Sequence, residues 1–422
     1  MDSRVLFLES KKEWFITLGV IGIVFVAMLG WRFWNFQEYI SQEKQKIQAR
    51  VLNQYFKNDK WVLKLKAQNG MILYATSRED LKNLQNRDIS MFGKPASCSF
   101  IQSLQSCFFV VFSFDLLPKD WRYGFYDFVS SQHQDPIFSQ LYQALFFASA
   151  LPKEWRDFAS DLKISHLLAI SGLHLGILAF LFYCVVSPIY RFFQARYFTY
   201  RNRFFDVGIL LHLFLFGYLV LLDFPPSFVR AYVMSLMGYL FLLYYFHLVN
   251  FSFLALCAMV ILALFPHFVF SLGFWFSVLG VFYIFLFFRH CSFGWICNLW
   301  LKRFVILCLL NLVLFFHMLI WTHLFFPSFS LDSWLAIPLS ILFAPWFVSA
   351  LCLHLLGWGG VWDQFLQMCL QFSSLKISVS TPLWLAIMYG SLSFGAIWSK
   401  RVYFVSLFVS GMFWLYLMYK IL

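Results

Sequence analysis

Charge is what this chain has least of. Only 12% of its 422 residues are Asp, Glu, Lys or Arg, against about a quarter in soluble globular domains, which excludes an ordinary water-soluble globule. The nine cysteines contain no CxxC pair and no Cys/His ligand spacing, so neither a zinc site nor any other metal is expected. There is no Gly-x-x-x-x-Gly-Lys-[Ser/Thr] loop, because Gly93-Lys94 is followed by Pro95 without the spacing. Phosphate-bond energy therefore cannot be harvested through a P-loop in this chain. None of the ten histidines falls in a His-x-His-x-Asp-His cluster. Ala169 occupies the position where Ile170-Ser171-Gly172 would need glycine to resemble the Gly-x-Ser-Gly turn of an intramembrane serine hydrolase. The expectation is a protein without cofactor and without enzymatic chemistry of its own.

What is present is hydrophobicity: 61% of the residues are apolar and 57 are Phe. The runs at 14–34, 164–188, 204–222, 228–246, 251–265, 268–288, 304–325, 334–356, 382–398 and 402–419 are long enough to be read as about nine to ten membrane segments of a polytopic α-helical protein. The first ends in Trp-Arg-Phe-Trp rather than at a small-residue cleavage site, so residues 1–45 are expected to remain an anchor. The net charge of +12 fits either a polyanionic partner or the positive-inside bias of membrane loops. Arg191, Arg196, Arg201 and Arg203 mark one loop as cytoplasmic, and Arg289, Lys302 and Arg303 another. The N-terminus then lies inside and the region after the first helix outside. Pro338 and Pro345 interrupt 334–356, which is expected to be re-entrant and to return to the outside. Val361, Phe365, Met368 and Phe372 suggest an interfacial amphipathic helix within 357–381, followed by a transmembrane hairpin over 382–422.

Residues 46–115 change to an alternating pattern. Trp61, Leu63 and Leu65 alternate with Val62, Lys64 and Lys66, Asn69-Gly70 signals a hairpin, and further strand-like runs lie at 88–92 and 107–114. With a short helix expected at 79–84, this suits a small all-β, OB-like barrel outside the cytoplasm. Lys57, Lys60, Trp61, Lys64 and Lys66, beside Tyr55 and Phe56, form either a stacking-plus-phosphate surface for single strands or a solvated strand face. Cys98 and Cys107 are a candidate disulfide if this region is outside. Over 116–163, helical spacing with Pro136 and Pro152 at helix starts predicts interfacial amphipathic helices.

Residues 165–178 place polar groups where a lipid-facing helix carries leucine. His166, Ile170 and His174 follow i, i+4, i+8 spacing, which would set both imidazoles on one face. Ser171 lies between them, and Gly172 and Gly176 would leave a groove for another backbone. Helix packing with satisfied polar groups is the plainer reading. Arg230, just inside a span after Phe224-Pro225-Pro226-Ser227, cannot be neutralised and can grip a phosphate bidentately; snorkelling or pairing with Asp223 would explain it otherwise.

The phrase His166-Leu-Leu-Ala-Ile-Ser-Gly-Leu-His174 resembles a motif of the ComEC/Rec-type competence proteins. Further motifs follow in family order: Pro226-Ser-Phe-Val-Arg-Ala-Tyr-Val-Met234, Ser271-Leu-Gly-Phe-Trp-Phe-Ser277 and Trp334-Leu-Ala-Ile-Pro-Leu339. They bring in Gly273, Ser277 and Pro338, although Trp275-Phe276 and Ser333-Trp334 depart from the family pattern. The resemblance implies an inner-membrane channel for single-stranded DNA in natural transformation. In that reading the OB-like domain receives the strand, and 164–356 conducts it along His166, Ser171, His174 and Arg230. Longer members carry a C-terminal metallo-β-lactamase-like domain, which is expected to be lacking here. A periplasmic DNA receptor, a separate nuclease, and a cytoplasmic ATPase, helicase or single-strand-binding protein are then implied as partners beside the lipid bilayer, with oligomeric state open. Transport of another anionic polymer or solute is the alternative, and a hydrolase using Ser171 a remote one.

Overall fold

Strands with one apolar face bury it best by closing on themselves, and this sheet does. The computed structural model describes residues 11–78, 82–243, 251–294, 296–371 and 375–421. In it, β1 (Gln45–Lys57), β2 (Lys60–Ala67), β3 (Ile72–Ser77), β4 (Asp88–Pro95) and β5 (Cys107–Leu116) form a closed barrel in the order β1-β2-β3-β5-β4. Only the β3–β5 pairing is parallel. Val51, Leu65, Leu73, Ile89, Met91 and Phe109 fill its interior. Asn58 and Asp59 both take positive φ, 51° and 55°, the two-residue turn that matches strand twist. At Gly93 the strands come so close that a Cβ would sit 2.0 Å from the Val110 carbonyl oxygen. Cys98 and Cys107 are joined by a disulfide.

Two expectations change in this region. Of the helix expected at 79–84, residues 79–81 lie outside the described residues and 82–84 are not helical; the helical turn is α2 (Phe100–Ser103), capped by Ser99. The first helix, α1 (Lys11–Ser41), is longer than its apolar run. Its last turns are part of the barrel core, with Phe36 and Tyr39 buried, Phe33 edge-on to Phe100 at 5.2 Å, and the Tyr39 hydroxyl donating to the Phe108 carbonyl at 3.4 Å. After α3 (Tyr123–Ser130), Asp135 caps α4 (Pro136–Phe147). Beyond Pro136 no residue of α4 is exposed, so α4 is packed within the protein and lacks the open face of an amphipathic surface helix.

The chain divides into two units, residues 11–151 with 258–271 and residues 152–257 with 272–421. The second holds α5 (Lys153–Asp161), α6 (Ser165–Leu168), α7 (Gly172–Tyr197), α8 (Arg203–Leu221), α9 (Pro226–Leu243) and the start of α10 (Phe251–Leu264). It continues with α11 (Leu272–His290), α12 (Leu299–Phe325), β6 (Ser328–Ser330), α13 (Ala336–Leu355), α14 (Asp363–Leu370), β7 (Lys376–Ser378), α15 (Leu383–Gly395) and α16 (Lys400–Ile421). Among the described residues eight helices, α1 included, are long and apolar enough to cross a bilayer, while α10 and α15 are shorter. The protein is thus a polytopic helical membrane protein with a small closed barrel.

Two span expectations are corrected, and the end of a third is not described. The run at 164–188 is not one helix: α6 ends at Leu168, Ala169 and Ser171 are extended, and α7 starts at Gly172 and continues through Pro188 to Tyr197. The end of the expected 228–246 span passes beyond the described residues at 243. The segment with Pro338 and Pro345 is not broken, because α13 runs through both. Pro338 stands in its first turn, where N–H groups lack intrahelical acceptors in any case, and Pro345 forfeits a single bond. The stretch that contains it nevertheless doubles back within the protein. β6 pairs antiparallel with β7, Phe329 opposite Ile377, so both ends of 331–375 lie side by side. Val361, Phe365 and Met368 are exposed at the start of this return, and Phe372 lies outside the described residues.

Candidate functional site

The break between α6 and α7 is made by a cap. Ser171, with extended backbone, accepts the Leu173 N–H at 3.3 Å. His174 stands three residues on, where a capping box usually has Glu or Gln, and its Nδ1 accepts the Ser171 N–H at 3.2 Å. An accepting Nδ1 puts the proton of the neutral ring on Nε2. That N–H is buried without a partner, and the ring lies edge-to-face with Phe343 and Phe347 of α13 at 5.2 and 4.8 Å. Ser171 Oγ is 3.3 Å from His174 Nδ1, a contact the cap accounts for without a hydrolytic dyad.

The start of α9 is fixed to the same link by Ser227, whose hydroxyl donates to the Ile170 carbonyl. One turn later comes Arg230, only 4% exposed. Gly172 lies against it, since a Cβ there would stand in ordinary contact at 3.5 Å from Arg230 Nη2. Arg230 Nη1 reaches only the Met234 sulfur, at 3.3 Å, and Nε has no partner. Among the described residues no carboxylate pairs with it, so pairing with Asp223 does not explain this charge, and its burial excludes snorkelling. A buried ion without counter-charge costs several kcal/mol as an order of magnitude. The positive ends of α7 and α9 add to the same sign. The cluster is therefore electropositive, and its guanidinium is of the kind that can hold an anion's oxygens.

Behind the cap, Lys163 at φ 57° donates from Nζ to the Ser328 carbonyl, and the Ser330 hydroxyl donates to the Asp161 carbonyl. Burial pulls the Lys163 ammonium down to about 8, opposed by Asp161. These bonds tie the α5–α6 turn to the β6–β7 ribbon.

Of the residues singled out in the sequence, Ser171, Gly172, His174, Pro226 and Arg230 come together here. His166 does not: it is exposed on α6, and the extended link destroys the i+8 face it was expected to share with His174. His174 is 1% exposed, so the water-accessible path expected to join His166, His174 and Arg230 is not open in this structure. The groove expected along Gly172 and Gly176 is occupied only at its first end, where Arg230 and Ala231 of α9 lie 3.5 and 3.6 Å from a Cβ at Gly172; among the described residues nothing approaches within 4 Å of a Cβ at Gly176. Gly273 and Ser277, in the first turns of α11, and Pro338 in α13 share no hydrogen bond with the cluster among the described residues.

Residues 147–422 match a family described as competence protein, more than half of the chain and every element of this cluster. The chain belongs to the competence protein family. Comparison with curated proteins and with solved structures gives no match. The family connects this competence protein with the uptake of DNA for transformation. The matched stretch begins after β5, so the barrel precedes it.

The helical unit of this competence protein has a second polar cluster that sequence reading did not single out. His317 of α12 bonds Tyr389 of α15 at 2.6 Å through Nδ1 and stacks on Tyr283 of α11 at 4.4 Å. The Tyr283 hydroxyl meets Ser393 at 2.9 Å and accepts from Trp321 Nε1 at 2.8 Å. Its members come from three helices far apart in sequence, and the only signal was a lone histidine in an apolar run.

On the barrel, Leu63 and Leu65 of β2 point inward, and Lys60, Lys64 and Lys66 alternate with them on the outer side. Lys64 stands opposite Tyr74 of β3, which stands opposite Phe108 of β5, making a row of one cation and two rings. At the end of the β1–β2 hairpin Lys57 faces Lys60, beside Phe56 packed edge-on to Trp61 at 5.4 Å.

Proposed function

We propose that this competence protein conducts a single DNA strand across the bacterial inner membrane, with the α7–α9 cluster as its phosphate-gripping constriction, closed at rest. The observation that carries the reading is Arg230, buried beside the α7 N-terminus with no carboxylate to neutralise it. A passing phosphodiester supplies the missing negative charge, and the His174 Nε2 proton supplies a neutral donor that holds without trapping. Opening requires α7 and α9 to part at Gly172.

The barrel receives the strand outside the cytoplasm. Its strand order and parallel β3–β5 closure support an OB-like reading, in which the β2–β3 face takes the strand, here with the Lys64, Tyr74 and Phe108 row. The arginine-rich link between α7 and α8 is then cytoplasmic. The protein makes or breaks no bond in the strand. A receptor on the outside, a separate nuclease, and a cytoplasmic motor or single-strand-binding protein complete the path.

The test is import of labelled DNA into the cytoplasm of a deletion strain. Complementation by the wild-type chain restores import, and Arg230→Ala reaches the membrane without restoring it. Unimpaired import in the deletion strain, or full rescue by Arg230→Ala, refutes the reading; loss of another anionic solute's transport with DNA import intact assigns the scaffold to that solute instead.

A further inference from the structure

Arginines clustered near a span end are usually read as topology signals. Here they also line a cavity. Ser187, Pro188, Arg191, Phe192, Arg196 and Arg203, from the second half of α7 and the start of α8, line a widely open cavity of about 680 Å³, within the roughly 300–1,000 Å³ of small-ligand sites.

The charge there is uncompensated. Asp206 is the only acidic residue between positions 162 and 222, and it is taken: Arg201 binds it through Nε and Nη2, both at 2.7 Å, and the Tyr190 hydroxyl donates to it. Arg191, Arg196 and Arg203 have no ion pair among the described residues. Leading to the cavity along α7, Val185, Ile189 and Phe192 follow i, i+4, i+7 spacing, and each is more than half exposed. A cationic head pocket thus continues into an apolar stripe.

We propose that this cavity binds the phosphate headgroup of an anionic glycerophospholipid, whose acyl chain lies along the Val185, Ile189 and Phe192 stripe. Guanidinium forks fit phosphate oxygens bidentately, and basic pockets between membrane helices are suited to such headgroups. The stripe is what selects a lipid over free phosphate. The site is independent of the α7–α9 cluster, and its lipid steadies the α7–α8 corner without touching the strand.

The full chain, purified in non-ionic detergent and delipidated, is titrated with phosphatidylglycerol, phosphatidylcholine of the same chains, inorganic phosphate, or oligo-dT, with native mass spectrometry and thermal unfolding as readouts. Phosphatidylglycerol binds and raises the unfolding temperature, and phosphatidylcholine does neither. Each arginine replaced by Gln weakens binding about fivefold, and all three together about a hundredfold. Should the triple variant fail to fold, the wild-type lipid comparison and Arg196→Gln alone decide. Equal binding of the two lipids, undiminished binding by the variants, stabilisation by phosphate alone to the same degree, or displacement of the lipid by oligo-dT each overturns the proposal.

Discussion

Replacing Arg230 by Met separates function from stability. The Arg230 guanidinium is buried with one weak acceptor, the Met234 sulfur at 3.3 Å, and Nε meets nothing. Removing such a charge while keeping the volume filled relieves its desolvation penalty. Exchanges of buried ions for apolar side chains of similar size are neutral to stabilising by about 1–4 kcal/mol, and the lost sulfur contact offsets only a small part. We therefore expect Arg230→Met to raise the thermal unfolding temperature in detergent by a few degrees and to abolish DNA import. Arg230→Lys keeps the charge as a more strongly hydrated ammonium without the fork, so it is expected to be less stable than wild type and weak in import. Arg230→Ala forfeits packing as well, about 2–5 kcal/mol for a truncation of this size, and falls below Met. The measurements are thermal unfolding of the three purified variants and import in the deletion strain. An Arg230→Met protein less stable than wild type would show that the guanidinium has partners in the resting state, and the argument for an anion's place beside it would fail.

Three further outcomes follow from other residues. Ser171 acts as a cap, so Ser171→Ala loses about 1 kcal/mol while Ser171→Asn, a cap without charge, keeps the fold and import; an inactive but well-folded Ser171→Asn, or labelling of Ser171 by a fluorophosphonate, would reinstate a nucleophile. Burial, with Arg32 and Lys66 adding, holds the His267 imidazole down to about 4 from 6.5, so the unfolded chain takes up that proton first as the pH falls. Stability is then full above pH 6.5 and lost towards pH 4, by at most about 3 kcal/mol, and His267→Asn should flatten the pH dependence of unfolding in that window; an unchanged slope speaks against it. On the barrel, Lys60→Ala and Lys64→Ala should each reduce the slope of log affinity for oligo-dT against log salt by about 0.7, and Tyr74→Ala should weaken binding by about 1–3 kcal/mol; fluorescence anisotropy over a salt series checks all three, and unaltered slopes place the strand elsewhere.

What could be read in the sequence was what is local. Alternation of Leu63 and Leu65 with Lys64 and Lys66 is a property of neighbouring residues, and it located β2 and its outward lysines. Arg230 was legible because a charge inside an apolar run contradicts its surroundings. The break at Ser171 was not, because its cap closes with His174 where Glu or Gln is usual, and hydropathy runs across it undisturbed. Nor does periodicity say what a stripe will meet. Phe36 and Tyr39 continue an apolar helix on paper, yet they complete the barrel core. The pairing of Phe329 with Ile377 joins segments some fifty residues apart, and three-residue strands carry too little alternation to announce themselves. Pro345 shows the converse error, a strong local signal overridden by a helix that continues through it.

The two polar clusters of the helical unit differ in one physical respect that assigns their roles. Around His317 no group is cationic, and all but the ring's buried Nε2 are bonded: Tyr389 and Ser393 bond the ring and the Tyr283 hydroxyl, and Trp321 donates to the latter. Matched neutral bonds lower the energy of one packing and specify it, which is what a scaffold of long, uniformly apolar helices needs to fix its register. Around Arg230 the charge is unmatched, since among the described residues no anion pairs with it, so this arrangement raises the energy of the resting state. A cluster of the first kind holds helices in place. One of the second kind is poised to change when a negative group arrives, since the arriving charge removes a penalty that no rearrangement of the chain itself can relieve. On the proposed reading, that difference makes Gly172 and Arg230 the moving contact, and His317, Tyr283 and Tyr389 the fixed frame.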